Sequence, residues 1–152
     1  MVELIPSKKS DLGVEVKVSA REQYGLRAMA ELARRYGEGP VSLAEVAQAE
    51  DISLAYLEQI VIPLRRAGLL VSTRGARGGY SLAREPSFIT VGEIIRVLEG
   101  AIIPIRCMTE GKDSFCEREE ICAARSVWAK VHDRLVETLD SITLADLIGE
   151  IK

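Results

Sequence analysis

The sequence predicts a mainly α fold with one small β-hairpin and a long solitary helix beyond it, and three observations carry that expectation. First, helix-capping residues recur before apolar runs: Ser19-Ala-Arg-Glu22, Ser42-Leu-Ala-Glu45 and Thr90-Val-Gly-Glu93 all have the spacing at which a hydroxyl and a carboxylate cap one helix start reciprocally. Second, strand-like residues from Leu69 to Thr73 and from Gly79 to Leu82 flank Arg74-Gly-Ala-Arg77-Gly-Gly, whose glycines supply the positive-φ freedom of a tight hairpin. Third, Trp128, Val131, Leu135, Thr138 and Ile142 fall at alternating three- and four-residue steps, a heptad-like seam.

Taken in order, residues 1–15 are polar and without clear period, contain Pro6 and Gly13, and are expected to form a mobile N-terminal extension. Residues 16–100 are expected to form one domain. Its first helix begins at the Ser19 cap, shows an apolar face of Leu26, Met29, Ala33 and Tyr36, and stops at Gly37. A short second helix is capped at Ser42, stapled by Val41 and Val46, buried through Leu43, Val46 and Ala47, and ends near Glu50. Only Asp51 and Ile52 separate it from a third, which Ser53 caps, Ile52 and Leu57 staple and Gly68 terminates. In that helix Leu54, Leu57, Val61 and Leu64 should face the core, leaving Ser53, Ala55, Tyr56, Glu58 and Gln59 outward. Pro63 lacks a backbone donor and clashes one turn back, so a kink or break is expected there, with a restart over Leu64 to Ala67. Beyond the hairpin, Thr90 caps a helix stapled by Ile89 and Ile94, with Ile95, Val97 and Leu98 largely buried, which closes the domain near Gly100.

Two short capped helices joined by so brief a turn, the second with a polar outer face, make a helix-turn-helix, and the hairpin adds a wing. From Ser53 to Arg84 the arginines at 65, 66, 74, 77 and 84 face a single acid, Glu58, a local charge of +4 in a chain whose total is −3. Such a local excess is the electrostatic footprint of contact with the phosphates of double-stranded DNA. The candidate DNA contacts are Ser42, Ser53, Ala55, Tyr56, Glu58, Gln59, Arg74 and Arg77. The competing reading of the hairpin alone is a solvated, structurally idle loop. Glu58 stands out because a carboxylate is repelled by phosphates yet can accept a hydrogen bond from cytosine N4, so it would veto wrong sequences; the alternatives are an ion pair with a nearby arginine or a solvated side chain.

At 152 residues, 47% hydrophobic and 28% charged, the chain can build one good core but not two full enzyme domains. No apolar run approaches the ~20 residues that span a bilayer, and the first residues lack the apolar centre of a secretory signal. A cytoplasmic protein with no membrane partner, no small-molecule substrate and no enzymatic activity is therefore expected. Residues 101–122, irregular after Pro104, hold all three cysteines, Cys107, Cys116 and Cys122, among charged neighbours. Three thiolates gathered by one loop suit an iron–sulfur cluster; structural zinc usually takes close pairs such as CxxC, and free redox thiols are the third possibility. Arg106 and Arg125 flank the loop and could offset the charge of a thiolate-bound cluster. The one histidine, His132, lies ten residues past Cys122, roughly 15 Å along a helix, and reads as a helix-surface or interface residue instead of a ligand. Residues 123–152 are expected to form the long helix, whose seam wants a partner helix unless it packs back on its own domain, and a short last helix starting at Thr143 with Ile142 and Leu147 as staple.

The stretch SLAEVAQAEDISLAYLEQIVIPLRRAGLLVSTRGARGGYSLA, followed by ITVGEIIRVLEG, a three-cysteine loop and ARSVW, closely resembles the bacterial winged-helix transcription regulators of the IscR, NsrR and CymR type. The match runs from about Val16 to Ile148, and YLEQ with RGARGGY is its most specific part. The resemblance implies a homodimer joined through the long helix, a DNA-reading helix starting at Ser53, a wing contact at Arg74 and, as in the cluster-bearing branch, a 2Fe-2S cluster on Cys107, Cys116 and Cys122. The chain departs from the pattern in a longer first cysteine gap and in Arg125 where the IscR branch has a histidine ligand. Where the NsrR branch takes an aspartate from the other subunit, Glu22-Gln23 stands here, so Glu22, Gln23 or an acid of the loop is the candidate fourth ligand. An IscR-like regulator of cluster supply is the expectation, with nitric oxide or redox sensing behind it and a CymR-like regulator, which lacks the cysteines and answers to a protein partner, further back. A zinc-stabilised module or a small thiol-redox enzyme would leave the wing unexplained.

Overall fold

Six helices and one hairpin make up the computed structural model, which describes residues 18–100, 102 and 120–150. The extension 1–15 and most of the cysteine loop, Cys107 and Cys116 included, lie outside the described residues. The helices are α1 (Ala20–Arg34), α2 (Leu43–Glu50), α3 (Leu54–Arg66), α4 (Val91–Glu99), α5 (Arg125–Ser141) and α6 (Leu144–Glu150). Strands β1 (Leu70–Thr73) and β2 (Gly79–Leu82) pair antiparallel, Leu70 opposite Leu82 and Thr73 opposite Gly79, and a 3-10 turn covers Pro86–Phe88. The fold is mainly α with a small β wing, as the sequence predicts.

Caps set the boundaries. Ser19 and Ser42 each accept from the backbone N–H three residues on while Glu22 and Glu45 accept in return, closing two full capping boxes. Thr90 accepts from the Glu93 N–H, but Glu93 turns away to pair with Arg84, so that box is only half made. At the end of α3, Gly68 takes φ +78, its N–H donates to Arg65 O, and Leu69 N–H donates to Leu64 O, the pair of bonds that satisfies the last carbonyls of a helix. The chain thereby reverses directly into β1.

One core serves α1, α2, α3, the base of the wing, α4 and α6. Met29, Val46, Leu57, Ile60, Leu64, Leu69, Ile89, Ile94 and Leu144 are all fully buried in it. The hairpin is sutured to the segment before α2, since Val41 and Tyr80 exchange both backbone hydrogen bonds at 2.9 and 2.8 Å. Gly79 permits this approach: a Cβ there would run into the Val41 carbonyl. The end of α5 is fastened the same way, with Val91 N–H donating to Ile142 O, Leu144 N–H donating to Ile89 O, and Arg96 gripping Asp140 through two bonds of 2.6 and 2.7 Å.

Four expectations need correction. Leu54 is exposed, not core, although Ile52 before it and Leu57 after it are both buried: at the helix start its side chain leans away from the packed region that those two residues enter. Tyr36 is also exposed: α1 ends at Arg34, so the helical period no longer governs where its ring points. Tyr56 is half-buried against the core instead of fully outward. Pro63 does not divide α3, which runs unbroken from Leu54 to Arg66. Burial of Leu57, Ile60, Val61 and Leu64 on both sides of it holds the helix against a local cost of about 3 kcal/mol.

Candidate nucleic-acid interface

The exposed face of α3 carries Ser53, Ala55, Glu58 and Gln59 in its first two turns and Arg65 and Arg66 in its last. Ser53 Oγ accepts the Tyr56 N–H at 3.4 Å, which leaves its own hydroxyl hydrogen for another acceptor. Glu58 is exposed and has no hydrogen-bond or ion-pair partner among the described residues, so the arginine pairing that would have made it structural is not formed. Ser42 differs, because its hydroxyl already accepts from Glu45 N–H and donates to Glu45 Oε2, both at 3.2 Å. It is occupied as a cap and lies half-buried.

At the wing, Arg74 and Arg77 are exposed and unpaired among the described residues. Gly75 takes φ +112, and a Cβ at Gly78 would run into the Thr73 carbonyl, so the turn that carries the two arginines needs glycine at both places. Arg84 is different: it donates to Glu93 at 2.6 Å and to Phe88 O, so its charge is spent inside the fold. The free positive charge therefore sits at the end of α3 and the wing tip.

Behind Tyr56 lies a contact that periodicity did not suggest. The Tyr24 ring of α1 meets the Tyr56 ring edge-on, centroids 5.8 Å apart and planes at 82°. Arg27, one turn further along α1, places its guanidinium 5.5 Å from the centre of the Tyr24 ring and donates to both the side chain and the backbone carbonyl of Glu50, the last residue of α2. The only sequence signal for this would have been Tyr24, Arg27, Glu31 and Arg34 falling on one stripe of a helix otherwise read for its apolar face.

Of the proposed cluster ligands, Cys122 is described. It is half-buried, carries no disulfide, and stands just before α5, where its carbonyl accepts from Arg125 N–H at 3.2 Å. A free thiol is a soft donor of the kind iron–sulfur clusters take, but among the described residues no group of three His, Cys, Asp or Glu side chains is placed to hold a metal ion. Glu22 Oε2 is held by Ser19 N–H at 2.8 Å, and exposed Gln23 donates to Val18 O, which leaves its side-chain carbonyl open. His132 is half-buried on α5 beside Asp133 at 3.4 Å.

Among the described residues, two carboxylates are shifted below their ordinary range. The hydrogen bond from Arg96 lowers Asp140, outweighing the opposing effect of burial, and the charge of Arg96 adds a lesser push in the same direction. Asp146, which accepts from the backbone and hydroxyl of Thr143 at the start of α6, is lowered by those two bonds.

The family model described as Rrf2, iron-dependent transcriptional regulator, matches residues 18–150. The chain belongs to the Rrf2 family. Among its relatives, the transcriptional regulator CymR of Bacillus subtilis is 48% identical over 132 residues, 87% of this chain and 89% of that protein. The regulator IscR of Escherichia coli is 35% identical over 134 residues, covering 88% and 81%. Of solved structures, CymR, the global cysteine regulator of B. subtilis, superposes with a TM-score of 0.74 at 46% identity, covering 91% of this chain and all of that one. IscR of T. potens gives a TM-score of 0.74 at 45% identity, covering 94% and 92%. This Rrf2 chain is thus a transcriptional regulator of winged-helix fold whose similarity extends to both the CymR and the IscR branch, and nothing in its relatives points to catalysis.

Proposed function

We propose that this Rrf2 protein is a cytoplasmic repressor that binds operator DNA as a homodimer and answers to iron–sulfur or redox status through a 2Fe-2S cluster on Cys107, Cys116 and Cys122. One observation carries the DNA half: the exposed face of α3, with Glu58 and Gln59 unpaired, stands on the same core as a wing tip whose two arginines have no partner among the described residues. Ser53, Ala55, Tyr56, Glu58 and Gln59 would meet base edges, and Arg74 and Arg77 would meet phosphates. Glu58 would accept from cytosine N4 and penalise other bases.

For the sensing half, support comes from the three cysteines together with the likeness to IscR. When bound, the cluster supplies a group whose charge and integrity change with electron transfer or oxidant attack. The chain's own part is mechanical. Cys122 stands at the head of α5, the far end of α5 is gripped through Arg96 and Asp140 to α4, and α4 packs on α1 and α3. Of Glu22 and Gln23, Gln23 has the freer side chain for a fourth ligand given across the dimer, since the Glu22 carboxylate is engaged as a cap; an acid of the cysteine loop is the remaining candidate.

A second reading rests on a specific observation, the 48% identity with CymR. There the signal would be cysteine supply relayed by a protein partner, and the thiols would carry no cluster; nitric oxide is the other candidate signal if a cluster is present. The absorption spectrum of anaerobically purified protein separates these: a red-brown chromophore that is lost or weakened in Cys107→Ala, Cys116→Ala and Cys122→Ala, with helical content retained, is the expected result. A colourless, iron-free wild type that still binds its operator would overturn the cluster and leave the CymR-like reading.

A further inference from the structure

Helix α1 carries a polar stripe at helical spacing, Tyr24, Arg27, Glu31 and Arg34, and every member acts on the helix-turn-helix or on another member. Glu31 is buried, and its carboxylate accepts from Arg34 at 2.8 Å and from Arg35 at 3.0 Å. Arg34 and Arg27 both reach the Glu50 carboxylate, at 3.4 and 3.1 Å, and Arg27 also donates to the Glu50 backbone carbonyl. Glu50 is followed by Asp51 in the left-handed region at φ +53, the strained turn that launches α3. At the other end of the stripe, Arg27 lies over the Tyr24 ring and Tyr24 lies edge-on to Tyr56.

We infer that Tyr24, held by the Arg27–Glu50 clamp, is a positioning residue for DNA reading: its ring fixes the direction from which the Tyr56 side chain meets a base. The physical argument is one of freedom removed. A half-buried tyrosine in the first turn of a helix, packed only partly against the core, has more than one rotamer open to it unless a neighbour selects one. An edge-to-face partner favours one ring plane, because the positive ring edge seeks the negative face of its neighbour. The cation over Tyr24 keeps that partner in place, and the same guanidinium ties down the end of α2, so the turn angle of α3 and the pose of Tyr56 are set by one side chain. Arg27 is half-exposed and is not needed to fill the core, which suits it to a positioning task.

This inference rests on the reading of α3 as the DNA-recognition helix, and the test keeps the two apart. A duplex is recovered from a randomised library with the wild-type full-length protein, and affinities for it and all its single-base-pair variants are measured for wild type, Tyr56→Ala, Tyr24→Leu, Tyr24→Phe and Arg27→Gln. Tyr56→Ala should flatten discrimination at one position per half-site. Tyr24→Leu should flatten the same position by about two- to tenfold, the worth of an edge-to-face pair, with the salt slope and the affinity for random-sequence DNA unchanged. Tyr24→Phe, which keeps the ring, should restore the wild-type profile, and Arg27→Gln should reproduce part of the loss in a protein whose folding it hardly affects. Discrimination lost in Tyr56→Ala but intact in both Tyr24→Leu and Arg27→Gln overturns the positioning role while α3 remains the reader. A uniform loss of affinity at all positions in those two variants overturns it also, since that marks a general structural effect. If no sequence is enriched, or Tyr56→Ala leaves the profile unchanged, the reading of Tyr56 itself fails and the inference falls with it.

Discussion

Helices α3 and α5 are of similar length and both amphipathic, yet they are housed differently. Of the thirteen residues of α3, Leu57, Ile60, Val61 and Leu64 are buried; of the seventeen of α5, none is. Trp128, Val131 and Leu135, the seam expected from heptad spacing, are instead exposed at 46%, 39% and 42%, with Val127 beside them. The apolar face of α3 is satisfied inside its own chain, so its polar face is free to be read by something else. The apolar face of α5 is largely exposed, and its C-terminal end is fastened to α4 through Asp140 and the cap residue Ile142. A stripe of large apolar side chains facing water is the physical support for proposing a dimer built on α5.

Core truncation should break α3 most severely. Leu57→Ala removes a side chain with no solvent exposure and is expected to destabilise the domain by about 2–5 kcal/mol in denaturant unfolding. The same kind of change on α5 should leave the domain folded and act on assembly. Val131→Asp or Leu135→Asp is expected to convert a sedimenting dimer into a monomer, with far-ultraviolet circular dichroism largely retained; a wild type already monomeric at micromolar concentration would end the dimer reading. A wild-type dimer should place its recognition helices at half-sites about one DNA turn, ~34 Å, apart.

Smaller effects sharpen the division between the reading face and the free charge. Arg74→Ala or Arg77→Ala should weaken binding to all duplexes together and reduce the salt slope by about one unit for each phosphate that is no longer neutralised. If Arg74 enters a minor groove, the loss will instead depend on flanking sequence. An unchanged slope in both variants would detach the wing from DNA.

The smallest effect concerns the joint between the two regions. Asp140 has a folded-state pKa below its unfolded value because Arg96 donates to it, so its contribution to stability is present above the ordinary carboxylate range and is lost as pH falls through the lowered value. Both side chains are about two-fifths exposed, so water screens the pair and its worth is under about 1 kcal/mol. Asp140→Asn should remove the corresponding acid dependence of the melting temperature while leaving stability near pH 7 only slightly lower. Gly92 leaves room for the Asp140 carboxylate, since a Cβ there would run into it; Gly92→Ala should therefore displace that carboxylate and remove the same acid dependence as Asp140→Asn.

Helix starts and stops were legible in the sequence because capping is local: Ser19, Ser42, Ser53 and Thr90 act on backbone three residues away, and Gly68 and Gly100 end helices through their own φ. The hairpin was legible for the same reason, as was the separation of Glu58 and Gln59 from Leu57 and Val61 by the helical period. Tertiary structure decided everything that depends on what lies across from a residue. It kept α3 whole through Pro63 because packing on both flanks outweighs one missing hydrogen bond, and it left Leu54 outside while burying Ile52 and Leu57 on either side of it. It took Arg84 out of the positive surface by bringing Glu93 to it, and it drew Tyr56 inward to Tyr24, a residue of another helix far back in the chain. Periodicity reports which side of a helix a residue lies on. Only the packed fold determines whether that side meets core, charge, another ring or water, since those neighbours come from parts of the chain that no local pattern connects.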